Sequence, residues 1–441
     1  MTKNFVQSRI VCFSISLLIT ALLILTLSLP VAAYSSHGSG TADDPYQIST
    51  FNELDEIRYN LSAHYILMND LDWNDSDQQW KPIGYVDNNF NGTFNGNMKE
   101  IKNLDIGSSE PGDVNRCAGL FGATSEDAVI SNLTLRNAMI SNGQNSQYTG
   151  SLVGNNKETV ISNSTLINLQ YAGSLVGYNK GTVINCRIID TVIFSDWYLG
   201  GMIGTNSGGL VGTNTGMIEN CSTEGSITGT DAGGLAGAND WGTIKTSFSN
   251  ATVTGIHTAG GLVGMNYEGN ISNCMSEGSV FGDYLVGGFA GCSILGTIEY
   301  CYTKNTVDGQ TQVGGFVGVN QGYLNNCIAI NEHINGVPPI RIESSLRRLP
   351  FINFVLGVGE PVGRITYISA YAGPDYTPVM ENIYSWEETK TNRWRFGAVN
   401  GIVVQTEELQ SFPGSVWSGW DQTIWEKGED EFPIIKQKIK I

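Results

Sequence analysis

The sequence predicts an all-β chain, a parallel β-helix solenoid of about eight or nine coils with an N-terminal cap and an irregular C-terminal cap. Three observations predict it. A four-residue core recurs as Gly209-Leu-Val-Gly212, Gly234-Leu-Ala-Gly237, Gly261-Leu-Val-Gly264, Gly288-Phe-Ala-Gly291 and Gly315-Phe-Val-Gly318, at steps of 25, 27, 27 and 27 residues. That period is too short for helical repeats of about 33–47 residues or propeller blades of about 40–50. The 441 residues include 54 glycines and only 15% charged residues, which suits tightly turning β-structure, and no G-X-Y period points to collagen. Such coils stack at about 4.8 Å, and right-handed turning is expected for parallel connections.

Taken in order, the chain opens on Lys3 and Arg9, followed by an apolar run from Ile10 to Leu29 and small residues at Val31-Ala-Ala33. Residues 1–33 therefore read as a secretory signal, which places the protein outside the cell or on its surface. If it is not cleaved, the same run is long enough to anchor the chain in a membrane, and no second stretch could span one. Without it, 22 basic residues face 42 acidic ones. An acidic surface of this kind excludes nucleic acid and anionic lipid as partners. Seven cysteines remain, an odd number, so at least one thiol is free.

Residues 34–118 read as an entry region that caps the first open coil. Phe51, Leu54, Ile57 and Leu61 have helical spacing, with Ser49 or Thr50 as the cap. Residues 65–73 alternate as a strand, residues 90–96 form a turn with paired aromatics, and residues 101–106 form a further short strand. Residues 119–330 hold the repeats, which begin at Gly119-Leu-Phe-Gly122 and continue as Ser151-Leu-Val-Gly154, Ser174-Leu-Val-Gly177 and Gly201-Met-Ile-Gly204 before the five above. The step from Gly201 to Gly209 is too short for a coil, so one of the two is a decoy or a coil is truncated there.

Aligned, the repeats assign a structural task to each register. The central pair of the motif is buried, and its glycines allow tight turning and close approach. Asn156, Asn179, Asn214, Asn239, Asn266 and Asn320 lie two residues after it, where Asn tolerates a turn and can bond its copy one coil away. Cys221, Cys274, Cys301 and Cys327 share one register, with Ser247 between the first two and Cys186 in an earlier copy. They read as a ladder of small buried thiols. Neighbouring copies also fall within disulfide range, and no Cys-x-x-Cys or nearby His suggests a metal.

The Gly-Leu-x-Gly core with Asn two residues on, and the Ile-x-Asn-Cys strand at Ile218–Cys221 and Ile271–Cys274, resembles the GLUG-motif repeat of exported bacterial and archaeal proteins. The entry stretch Gly40-Thr-Ala-Asp-Asp-Pro-Tyr-Gln-Ile48, with Pro82-Ile-Gly84 and Phe90-Asn-Gly-Thr-Phe94, resembles the segment that precedes such repeats. The resemblance implies a β-helical surface or secreted protein, often adhesin-like. Some relatives carry a zinc peptidase, but none of His37, His64, His257 and His333 forms His-Glu-x-x-His here.

Residues 331–441 differ: Pro338-Pro339 interrupts the pattern, residues 382–386 resemble one more degenerate coil behind an insertion, and Trp386, Trp394, Trp417, Trp420 and Trp425 cluster. They read as a cap over the last coil, or as an aromatic patch that binds sugar or cell wall.

Candidate chemistry is sparse. Tyr148, Tyr171 and Tyr198 each precede their motif by three residues, and a stack of them would be a carbohydrate platform or ordinary turn packing. Asn60, Asn74, Asn91, Asn132, Asn163, Asn220, Asn250 and Asn270 begin sequons that an exported protein could carry glycosylated. Glu224 and Glu277 share a register two coils, about 9.6 Å, apart, near the upper separation of an inverting acid–base pair, but Asn250 lies between them. Asp70, Asp72, Asp75 and Asp77 start like a calcium loop that lacks its Gly and Glu. The expectation is a non-enzymatic surface or secreted protein without cofactor, binding extracellular glycans or proteins. The rival is a polysaccharide lyase or hydrolase using stacked carboxylates.

Overall fold

The structure is a computed structural model that describes residues 37–73, 78–107, 117–140, 148–167, 174–194, 206–336, 358–362, 380–386, 390–391, 402–429 and 432–436. Residues 1–33 and the Gly201 motif lie outside these. Residues from Gly38 onward form one compact unit.

A coil consists of three strands. In one turn these are Val211–Asn214, Met217–Glu219 and Ser222–Gly233, and in the next Ala236–Asp240, Thr243–Lys245 and Phe248–Gly260. Every strand pairs in parallel with its copy one coil away. The motif's second apolar residue builds the ladder Phe121, Val153, Val176, Val211, Ala236, Val263, Ala290 and Val317. Val176 pairs directly with Val211, so Gly209 starts the coil that follows Ser174. The second strand adds Ile130, Ile161, Val183, Ile218, Ile244, Ile271, Ile298 and Leu324, all buried. Together these stacks form a β-solenoid of about nine turns.

Pleating decides what faces in. Along Phe248–Gly260, Ser249, Ala251 and Val253 are buried while Asn250, Thr252 and Thr254 are exposed. Glycine is needed where walls meet. A Cβ on Gly234 would lie 2.0 Å from Ser249 Oγ, and one on Gly261 2.3 Å from Asn305 Nδ2. The motif's first glycine therefore makes room for the polar inner residues of the third strand. Two earlier coils begin with Ser151 and Ser174, and there the corresponding inner residues are the apolar Leu166 and Ile188.

The ladders continue into both flanks. Tyr46, Tyr65 and Phe94 precede Ile130 in register, and Ile83 bridges to Phe121, so residues 38–107 already take part in the solenoid. The helix Phe51–Glu56 follows the first strand, with a capping box between Thr50 and Glu53. It buries Leu54 and sets the Phe51 ring 4.7 Å from Trp73. At the other flank, Met380–Trp386 pairs with the coil of Cys327 as a further turn.

Within the tail, Ile402–Val404 pairs with Met380–Trp386 at the end of the stack, whereas Trp417, Trp420 and Trp425 lie against its side. A short helix, Thr406–Leu409, a 3-10 turn, Ser415–Trp417, and a hairpin of Trp425–Lys427 with Pro433–Ile435 form a small module against the side of the solenoid. Trp417, Trp420 and Trp425 pack on Met275, Tyr302 and Ile328, with Phe248 and Tyr300 at the edge. Phe248, Met275, Tyr302 and Ile328 are one column in successive coils. Equivalent positions in earlier coils are Arg187 and Ser222, so the apolar stripe exists only where the module sits. Trp425 Nε1 donates to Asn273 Oδ1 at 3.2 Å, and the Tyr302 hydroxyl donates to the Pro433 carbonyl.

Candidate functional site, an aromatic-rimmed groove across three coils

The motif asparagines lie at the end of the first strand and point inward. Asn156 Nδ2 donates to Asn179 Oδ1 at 2.7 Å, Asn179 to Asn214 at 2.8 Å, Asn214 to Asn239 at 2.8 Å, and Asn239 to Asn266 at 2.9 Å. All are fully buried. Ser293 accepts from Asn266, and Asn320 turns both amide ends onto Gly322. The ladder holds a turn whose residue two places after the Asn is left-handed in several coils: Glu158, Trp241, Glu268 and Leu295 have φ of 71°, 61°, 49° and 54°.

Trp241 is the unusual member of that set. A bulky side chain at positive φ is disfavoured, and this one is 63% exposed. It borders an open groove of about 390 Å³ that also takes in Lys180, Thr182, Thr215 and Met217. The groove floor crosses three coils, since Thr182, Met217 and Thr243 are successive partners in one column, and Glu158 comes from the coil before them. One wall is the Glu158–Lys180 ion pair at 2.8 Å, which pulls the Glu158 carboxyl below and pushes the Lys180 ammonium above their ordinary values. Beyond Trp241 the Tyr267 ring lies 6.3 Å away, edge on. At the other side Thr215 Oγ1 lies 3.4 Å from the Tyr178 hydroxyl, and the Tyr178 ring lies 5.2 Å from Tyr148. The surface therefore alternates aromatic faces with hydroxyls, a pattern suited to the apolar faces and edge hydroxyls of sugar rings.

Of the three tyrosines singled out in the sequence, Tyr148 is not among the residues lining the groove; it packs partly buried against Tyr178, and burial raises its phenol. Tyr171 and Tyr198 lie outside the described residues. Sequence reasoning passed over Trp241. Its signal was a large aromatic two residues after Asn239, where other coils carry Glu, Gly or, after Ser293, Leu.

A second asparagine ladder, also missed, runs along the corner between the second and third strands. Asn132, Asn163, Asn185 and Asn220 have φ of 50–57°. Asn163 Nδ2 donates to Asn132 Oδ1 at 3.2 Å, Asn185 to Asn163 at 3.1 Å, and Asn220 to Asn185 at 2.7 Å. Three sequon residues, Asn132, Asn163 and Asn220, thus engage their amide nitrogens in this ladder, with Asn163 exposed and the other two half-buried. Asn60, Asn91, Asn250 and Asn270 are exposed, and Asn74 lies outside the described residues.

The structure places the remaining sequence candidates as follows. Glu224, Asn250, Glu277 and Lys304 are successive partners on the outer face of the third strand, and Lys304 lies 5.1 Å over the Phe432 ring of the C-terminal module. Asp70 accepts the Glu100 N–H at 2.9 Å and Asp72 the Asn103 amide at 2.6 Å; Asp75 and Asp77 lie outside the described residues. Among the described residues no group of three or more His, Cys, Asp or Glu is placed to hold a metal ion. Cys186, Cys221, Cys274, Cys301 and Cys327 follow directly on the corner and, like Cys117 and Cys292, are buried and unbridged. No helix among the described residues is long and apolar enough to cross a membrane.

Comparison with known proteins adds a motif and distant relatives. Residues 197–228 and 255–280 match the family model described as "The GLUG motif", so the chain carries GLUG motifs. It is 35% identical over 134 residues to "Halomucin" of Haloquadratum walsbyi, covering 28% of this chain and 1% of that protein. It is 33% identical over 125 residues to a "Putative Gly-rich membrane protein" of Evansella cellulosilytica, covering 27% of this chain and 14% of that one. The matched stretches are thus a small part of each relative's length. A crystal structure described as "a putative immunoglobulin A1 protease" from Bacteroides ovatus aligns at 18% identity with a TM-score of 0.38, covering 91% of this chain and 95% of that one.

Proposed function

We propose that this chain is a non-enzymatic, secreted or cell-surface β-solenoid that binds glycan along the groove beside Trp241. The observation that carries the reading is Trp241 itself, a tryptophan held exposed in a left-handed turn over a polar groove whose floor crosses three coils. Packing does not require it, because the same turn accepts Glu158, Glu268 and Leu295. An indole face offers a sugar ring apolar area while Thr182, Thr215 and Lys180 supply hydrogen bonds at its edge. The name of one relative as a membrane protein agrees with a place at the cell surface.

The test is a binding series with neutral oligosaccharides of increasing length. Affinity should rise while added units meet further coils and then level off. Trp241→Ala should weaken binding about ten-fold, or about 1.4 kcal/mol, with an unchanged melting curve. Absence of binding across a broad glycan panel would remove the reading. The carboxylate-enzyme reading is checked in parallel: polysaccharide cleavage that disappears in both Glu224→Gln and Glu277→Gln would replace it.

A further inference from the structure

The corner that follows the second asparagine ladder carries a column that packing leaves unexplained. In coil order it reads Ser164, Cys186, Cys221, Ser247, Cys274, Cys301 and Cys327, as the flanking pairs Thr165–Arg187, Arg187–Ser222, Ser222–Phe248, Phe248–Met275, Met275–Tyr302 and Tyr302–Ile328 require. Each member donates to the carbonyl two residues earlier: Cys221 to Glu219 at 3.2 Å, Cys274 to Ser272 at 3.2 Å, Cys301 to Glu299 at 3.2 Å, and likewise Ser164 to Ser162 at 3.1 Å and Ser247 to Lys245 at 2.8 Å. The Cys186 N–H reaches Cys221 Sγ at 3.4 Å, the Cys274 N–H reaches Cys301 Sγ at 3.4 Å, and the Cys221 N–H reaches Ser247 Oγ at 3.1 Å. A hydroxyl therefore meets the structural demand of this corner as a thiol does, yet sulfur occupies five of the positions.

Ser247 divides the sulfurs into a pair, Cys186 with Cys221, and a triplet, Cys274 with Cys301 and Cys327. Within each set the column is continuous, with the backbone N–H of Cys186 directed at the Cys221 sulfur and that of Cys274 at the Cys301 sulfur. Equivalent atoms on adjacent coils lie about 4.8 Å apart. A disulfide needs its sulfurs at about 2.05 Å, well inside that spacing. Two metal–sulfur bonds of about 2.3 Å, the length in zinc thiolates, placed in line span about 4.6 Å.

We propose that adjacent thiols of this column, two at a time and not as a three-ligand cluster, hold a soft monovalent cation, Cu(I) or Ag(I), each ion between the sulfurs of neighbouring coils. Thiol ligands select such ions over hard ones. One thiol loses its proton to water and becomes the thiolate ligand, and its neighbour donates a sulfur lone pair and keeps its proton. The thiolate–metal–thiol unit is neutral, which suits a buried corner, and no electron is transferred. Access requires local opening of the corner, so loading should be slow rather than immediate.

The test uses the full chain carrying Cys12→Ser, reduced, under inert gas and without chloride, titrated with silver nitrate. Bound silver per chain is counted after gel filtration, and sulfur-to-silver charge-transfer absorption is followed. The parent should bind at least two ions. Cys221→Ser should lose one. Cys301→Ser should lose all that the triplet holds, because Cys274 and Cys327 would be left about 9.6 Å apart. Cys117→Ser and Cys292→Ser, buried thiols outside this column, should bind as the parent does. Serine at 221 or 301 reproduces the arrangement at Ser247, so unchanged melting is expected and separates lost ligands from lost fold. Equal silver binding in the parent, Cys221→Ser and Cys301→Ser would overturn the proposal. So would thiol counting that finds the pair already joined as a disulfide in the oxidised protein before any metal is added.

Discussion

Asn239 concentrates the chemistry of the turn in one side chain. Its Oδ1 accepts from Asn214, and its Nδ2 donates to Asn266 and to the Gly242 carbonyl, all without exposure. Asn239→Ala leaves buried polar groups on both neighbouring coils short of a partner, which should cost about 2–3 kcal/mol in urea unfolding, while Thr252→Ala on the exposed face should change less than about 0.5 kcal/mol. Asp231 gives a pH prediction. Burial raises its carboxyl above the usual range, partly offset by the Thr258 hydroxyl, which donates to it at 3.0 Å, and by His257. As pH rises from below about 3.9, the unfolded chain ionises first. Stability contributed at this site is therefore fully present in acid and is lost as pH passes up through the raised folded value. Asp231→Asn keeps an acceptor for Thr258 and removes the charge. It should be more stable than the parent at neutral pH and equal to it near about pH 3.5 in paired urea titrations. The reverse order would show that burial does not dominate.

At the scale of elements, the C-terminal module shows what a repeat pattern conceals. The tryptophans were visible in the sequence, but where they pack was not, because the tail itself contains no register. The information lay in the repeats: the residue after the corner cysteine or serine is Arg187 or Ser222 early and Phe248, Met275, Tyr302 and Ile328 late. An outward column that turns apolar over successive coils requires a cover. Trp425 is fully buried between Tyr302, 5.7 Å away, and Trp420, 4.7 Å away. Trp425→Ala should remove about 3–5 kcal/mol of docking. Because a solenoid's coils are stabilised by their neighbours, hydrogen exchange should then accelerate across residues 405–436 while the strands of residues 248–330 stay protected. Equal acceleration in both would mean the module is part of one cooperative core.

Across the whole molecule, legibility follows periodicity. The β-class, the coil length, the inward Leu/Val ladder and the buried asparagines all repeat every turn, so each coil confirms the next. Trp241, the module's footing and the corner amide ladder escaped for one reason: each depends on residues that break the period or that look like something else, as sequon asparagines do. This division leads to a test on the complete coil. Removing residues 234–260 takes out one 27-residue period and joins Gly233 to Gly261 in register. In a one-dimensional stack the shortened protein should still fold cooperatively, with a lower melting temperature, because only one unit and one interface are lost. Removing residues 234–246 alone shifts the third strand against its neighbours and should leave an aggregating chain, since a slip of odd length turns buried faces outward. The same 27-residue deletion removes Trp241 and should abolish glycan binding. It also removes Ser247, which brings Cys221 directly over Cys274 and fuses the pair and the triplet into one column of thiols. Silver bound per chain should then be no lower than in the parent, although the glycan site is gone. A shortened protein that folds yet loses silver would show that the sulfurs do not stack as one ladder.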